Sequence, residues 1–115
     1  MVRSIGRDEL RQRLQENPGR VILLDVRERS DYEAEHIKGA ISIPMHELTM
    51  RTEKEFPKDA EIIVYCGGFE CTASTNAADA LSESGFENVL NYEGGIRDWK
   101  TAGFMTEGVG RQKAA

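Results

Sequence analysis

The chain has two cysteines, and both fall in one short stretch, Val64-Tyr65-Cys66-Gly67-Gly68-Phe69-Glu70-Cys71-Thr72. A cysteine reacts as its thiolate, which is stabilised by backbone N–H groups and by the positive end of a helix. Cys66 directly follows an apolar run, Ile62-Ile63-Val64-Tyr65, and precedes an alanine-rich one, so it reads as sitting where a strand hands over to a helix. Gly67 and Gly68 tolerate positive φ and would let the loop amides curl toward its sulfur. The same curl suits an oxyanion. Cys66 is therefore the candidate nucleophile, and Gly67, Gly68, Phe69, Glu70, Cys71 and Thr72 form its candidate substrate- or anion-binding loop.

Other chemistries fit less well. Cysteine phosphatases clamp the phosphoryl oxygens with an arginine in Cys-x5-Arg, and here Thr72 holds that position. Arsenate reduction stays open because a second thiol is present. A zinc site from Cys66, Cys71, His36 and His46 is disfavoured, since the histidines lie too far apart for the usual spacing. Cys71 has two readings. It is a resolving thiol that closes a disulfide with Cys66 or takes its sulfur, or it is a small apolar filler under the loop. The first requires the two Cα atoms to come within about 7 Å.

The elements that must hold this loop follow from hydrophobic patterning. VILLD (21–25) and EIIVY (61–65) are short, almost wholly apolar runs, expected of strands buried on both faces. Asn88 to Tyr92 is a third such strand and Ile41 to Ile43, closed by Pro44, a fourth. Helices are expected over 4–15, over 30–36 behind the capping-box spacing Ser30…Glu33, over 45–54, over 72–84 with Gly85 as its C-terminal glycine, and over 97–101 carrying Trp99 in the core. Strands alternating with helices make an α/β fold with a mostly parallel central sheet flanked by helices, whose ligand edge is the carboxyl ends of the strands.

At 115 residues, 39% hydrophobic and 30% charged, the chain reads as one domain over 1–106 with a loose polar tail over 107–115. The net charge of −5, with cations interleaved among acids, argues against nucleic acid. Apolar runs of four or five residues argue against a membrane span. The stretch MVRSIGRDEL lacks the apolar core of a signal peptide, so the expected compartment is the cytoplasm, where paired cysteines serve catalysis more often than structure.

Several separate stretches together resemble the single-domain rhodanese family of thiosulfate sulfurtransferases. They are Leu24-Asp25-Val26-Arg27-Glu28 with Tyr32-Glu33, the stretch His36 to Pro44, Val64-Tyr65-Cys66, Gly85 to Val89, and Glu93 to Trp99. The resemblance runs from about residue 5 to 104 and implies a three-layer fold with Cys66 at the base of the active loop. It implies that Cys66 takes a sulfane sulfur from thiosulfate or a persulfide, small or protein-borne. The resulting persulfide then yields that sulfur to a thiol or cyanide, without metal or cofactor. By the resemblance Asp25 and Arg27 are chiefly structural supports near the site; Arg97 is a further supporting position, on a solvated helix face or reaching the substrate edge in place of a loop cation. The sequence departs from the family in its loop, which is longer, has no cation between Cys66 and Ser74, and carries Glu70. Two alternatives stand beside the enzyme: a non-catalytic binding or regulatory module, and a Cys66–Cys71 dithiol redox protein.

Overall fold

The computed structural model describes residues 2–109. Five parallel strands form the central sheet in the order β1 (Arg3–Ser4), β6 (Asn88–Tyr92), β5 (Glu61–Tyr65), β2 (Val21–Asp25), β4 (Ile41–Ser42). The two apolar runs β2 and β5 lie at its centre, paired along their full length, as strands covered on both faces should be.

Strand alternation sorts the side chains into two cores. Leu24, Ile62, Val64 and Cys66 pack on one face against Leu48 of α3 (Leu48–Glu55) and Ala77, Ala78 and Leu81 of α4 (Ala73–Glu83). Leu23, Ile63 and Tyr65 pack on the other against Leu10 of α1 (Arg7–Glu16) and Ile96 and Trp99 of α5 (Gly95–Thr101). The result is the expected three-layer α/β sandwich. The alanines of α4 bring its backbone close over β5 and β6, and Gly85 (φ +99°) ends it. Phe86 then turns back, its N–H donating to Leu81 O at 3.1 Å.

Local details differ from expectation. Helix α2 (Arg29–Ala34) starts one residue early, with Glu28 at its N-cap and no side-chain cap hydrogen bond, so the Ser30/Glu33 pair forms no capping box. A 3-10 turn over Met45–Glu47 precedes α3. A small antiparallel pair, β3 (His36–Ile37) with β7 (Thr106–Glu107), has too few residues to show a period in sequence. Glu107, expected to open a loose tail, thus pairs with His36, and Gly108 packs where a Cβ would lie 2.6 Å from Ala34 O. The rest of the expected tail, 110–115, lies outside the described residues.

Candidate active site

The register of the three central strands aligns Asp25, Tyr65 and Tyr92 across the carboxyl edge of the sheet. Cys66 is the next residue after this row. Because neighbouring residues on a strand face opposite ways, Tyr65 and Cys66 belong to different layers. Tyr65 enters the core beside α5, and Cys66 the core beside α4.

Tyr65 is the fixed point. Its hydroxyl donates to Asp25 Oδ2 at 2.7 Å and accepts the Ile37 N–H at 3.1 Å. Asp25, fully buried, also takes Arg27 Nε at 3.1 Å and Nη2 at 2.8 Å, a bidentate pair. Arg27 reaches on to Glu35 O at 2.7 Å. Burial, then the Asp25 charge and hydrogen bond, push the Tyr65 phenol far above its ordinary value, so it stays a neutral donor. Burial weakens the Arg27 cation, but the hydrogen bonds and charge of Asp25 outweigh this and raise its pKa. Asp25 and Arg27, expected as supporting positions, therefore brace the strand end from the layer opposite Cys66.

On its own side Cys66 is buried, with 2% exposure, and its sulfur is joined to that of Cys71 in a disulfide with the Cα atoms 6.6 Å apart. The loop thus brings the two cysteines within bridging range, which spacing alone left undecided. The Cys71 N–H donates to Gly68 O at 3.0 Å, closing a tight turn whose tip is Phe69 and Glu70. Phe69 is 72% exposed. Thr72 is the N-cap of α4 and makes no side-chain cap bond.

Two expectations for this loop change. Neither Gly67 nor Gly68 has positive φ, so the loop in its disulfide form does not use the left-handed conformations that glycine allows. The Cys71 amide is committed to Gly68. A cation does reach the loop from outside it, since Arg97 of α5 pairs with Glu70 at the loop tip, but its charge is spent on that carboxylate. A hydrogen bond from its own backbone N–H, then the Arg97 charge, hold the Glu70 carboxyl below the usual glutamate range.

The closest packing at the site is one that sequence reading missed. The first amides of α5, free as at any helix start, donate to the loop base: Ile96 N–H to Cys66 O and Arg97 N–H to Gly67 O, both at 3.0 Å. Gly95 (φ +65°) makes this possible, since a Cβ there would lie 2.4 Å from Cys66 O. The signal was the Gly94-Gly95 pair, legible as a turn but not as a contact with residue 66. His36 is engaged by Tyr32. Its ring stacks on Tyr32 at 3.7 Å, with Nδ1 2.7 Å from Tyr32 O.

Comparison with known proteins identifies the family of the fold. The sequence model of the family described as "Rhodanese-like domain" matches residues 6–102. A sulfurtransferase of Allochromatium vinosum is 34% identical over 90% of this chain and 92% of its own. The HTH-type transcriptional regulator Rv0324 of Mycobacterium tuberculosis is 38% identical over 90% of this chain, which spans only 44% of that protein. The solution structure of the rhodanese-like domain from the Anabaena sp. Alr3790 protein superposes with a TM-score of 0.88 at 34% identity, over 98% of this chain and 84% of that one.

Proposed function

The chain belongs to the rhodanese-like domain family, and from that premise we propose that it is a sulfurtransferase with Cys66 as its sulfur carrier. One observation carries the reading: Cys66 stands directly past the carboxyl end of β5, at the base of a braced loop, with its sulfur already bonded to a second sulfur. With the disulfide reduced, the Cys66 thiolate attacks the outer sulfur of thiosulfate and expels sulfite, leaving a Cys66 persulfide. Cyanide or a thiolate then takes the outer sulfur and returns the Cys66 thiolate. This is a ping-pong exchange through a covalent intermediate. Charge sets the donor preference. Thiosulfate carries two negative charges, and the only cation at the loop tip among the described residues is Arg97, already engaged by Glu70. A persulfide, small or borne by another protein, meets less repulsion. The test is intact mass of the reduced protein after exposure to thiosulfate or a persulfide, followed by thiocyanate formation on adding cyanide. Cys71→Ser, which keeps Cys66 without a second thiol, is expected to gain one sulfur atom and Cys66→Ser none. A Cys71→Ser protein that gains no sulfur from any donor, beside a wild type that neither gains sulfur nor releases sulfide, refutes the reading.

A second reading is favoured by the likeness to part of a transcriptional regulator: a sensing module that reports through the Cys66–Cys71 bond. It predicts reversible disulfide formation without turnover of cyanide to thiocyanate, so the same assay separates the two.

A further inference from the structure

We infer that the loop performs a second reaction at the same sulfur: Cys71 discharges the Cys66 persulfide reductively, so that sulfane sulfur leaves as hydrosulfide. This rests on the persulfide reading above.

The first support is reach. Cys71 is bonded to Cys66 Sγ, the atom that becomes the inner sulfur of a persulfide. An acceptor from solution must find a sulfur whose residue is 2% exposed, whereas Cys71 is delivered to it by the loop. An intramolecular attack of this kind has a large effective concentration.

The second support is the double glycine. In the closed loop Gly67 has a φ open to any residue, and a Cβ there would meet nothing within 4 Å. Nothing in the disulfide form calls for glycine at that position. Glycine is suited to a loop that must leave this turn for another, opening to load sulfur and closing to bring Cys71 in. The ends of the loop are anchored by their carbonyls and by α4, which leaves the backbone between them to change conformation. Cys66 and Gly67 are tied to α5 through Ile96 and Arg97, and α4 begins at Ala73.

The chemistry balances. The Cys71 thiol, losing its proton, attacks Cys66 Sγ. The bond between the inner and outer sulfur breaks, and the outer sulfur departs with the electron pair and that proton as HS⁻. Cys66–S–S⁻ and Cys71–SH thus become the Cys66–Cys71 disulfide and hydrosulfide. The sulfane sulfur is reduced by two electrons and the cysteine pair oxidised by two. Hydrogen sulfide is a stronger acid than an alkyl thiol, so its conjugate base, hydrosulfide, leaves readily. The disulfide is then reset by a dithiol reductant, which itself becomes a disulfide.

The experiment is a single turnover without oxygen, so that the sulfur donor is the only oxidant, and without free thiol, which would strip the persulfide directly. Reduced wild type, Cys71→Ser and Cys71→Ala are mixed with thiosulfate, and separately with one equivalent of glutathione persulfide with the thiol it releases trapped by a slow alkylating agent added after loading, then read by intact mass and a sulfide probe. The expected wild-type product has lost two hydrogens, with one sulfide released per chain. The two variants are expected to hold the added sulfur and release none. If wild type keeps its sulfur and releases no sulfide, reductive discharge is overturned while the sulfurtransferase reading stands. If the variants release sulfide as wild type does, Cys71 is not the resolving group. If no form takes up sulfur, both readings fall together.

Discussion

Ile96 donates its backbone N–H to the carbonyl of Cys66 at 3.0 Å. The start of α5 is thereby fixed to the residue proposed as the sulfur carrier. The approach is possible only because Gly95 lacks a side chain: its φ is +65°, and a Cβ would lie 2.4 Å from Cys66 O and 2.8 Å from Gly67 C and Gly68 N, all backbone. Gly95→Ala is expected to destabilise the fold by about 1–3 kcal/mol, the range for a residue forced into a sparsely allowed conformation, and to slow sulfur loading by displacing the loop base. Chemical denaturation and the loading assay measure the two effects. Gly67→Ala is the control, since its added Cβ meets nothing within 4 Å. Its disulfide form is expected to keep its stability within about 0.5 kcal/mol. A Gly95→Ala protein as stable as wild type would contradict the close-approach argument.

Tyr65 holds the strand end from the other layer. Tyr65→Phe removes the donor to buried Asp25 and leaves the Ile37 N–H without its acceptor. The expected cost is about 1–3 kcal/mol, that of a buried group left unsatisfied. Asp25→Ala should cost more, about 3–5 kcal/mol, because it strands the largely buried Arg27 cation without its partner. Denaturant midpoints of the two variants test this order; equal midpoints would show that the charge pair adds nothing to the brace.

How much of this was written in the sequence depends on the range of the interaction. β2 and β5 were legible because a strand covered on both faces must be apolar throughout. Parity along β5 then fixes that Cys66 shares a face with Ile62 and Val64. The two-residue strands β1, β3 and β7 were not legible, since two residues carry no period. Within the loop, the type and place of Cys66 could be read, but not its closure onto Cys71. Nor could the ordinary φ of Gly67 and Gly68 be read, because residues that allow a conformation do not require it. The Arg97–Glu70 pair joins residues brought together by the β5–β6 pairing and by the hydrogen bonds from the start of α5 to the loop base. Arg97 was considered for the missing loop cation, but nothing local to residue 97 says that its partner is the carboxylate.

That pair has a pH signature. A carboxyl whose pKa is lowered on folding stabilises the fold above its unfolded value, about 4.3 for glutamate. That stability is lost as pH falls through the lower folded value. The main cause for Glu70 is its own backbone N–H, and Arg97 comes second. A carbon-detected NMR titration should therefore place Glu70 below the ordinary glutamate midpoint, and Arg97→Gln should restore only part of the difference. Full restoration would assign the whole effect to Arg97. The same variant leaves Glu70 uncompensated beside the loop, so the thiosulfate KM should rise with little change for an uncharged donor. That difference should shrink as salt screens the exposed charges.

The last turn of the described chain closes the layer under α5. Trp99 donates its indole N–H to Met105 O at 2.9 Å, and Lys38 donates its backbone N–H to the same oxygen at 3.2 Å. Thr106 Oγ1 donates to Glu35 Oε2 at 2.6 Å. A chain truncated after Phe104 loses all three contacts and the β3–β7 pair. It leaves Trp99 with an unpaired N–H in a largely buried site and uncovers Ile37. Each unsatisfied buried donor costs about 1–3 kcal/mol, so the truncated protein should melt well below the intact one. Ile37 N–H also bonds the Tyr65 hydroxyl. Loosening β3 should therefore carry through Tyr65 to Cys66 and slow sulfur loading as well as lower stability. Calorimetry beside the loading assay distinguishes the two effects. A truncated chain with a lowered melting temperature but unchanged loading below it would show that the β3–β7 pair supports the fold alone, and that the Tyr65 brace holds Cys66 without it.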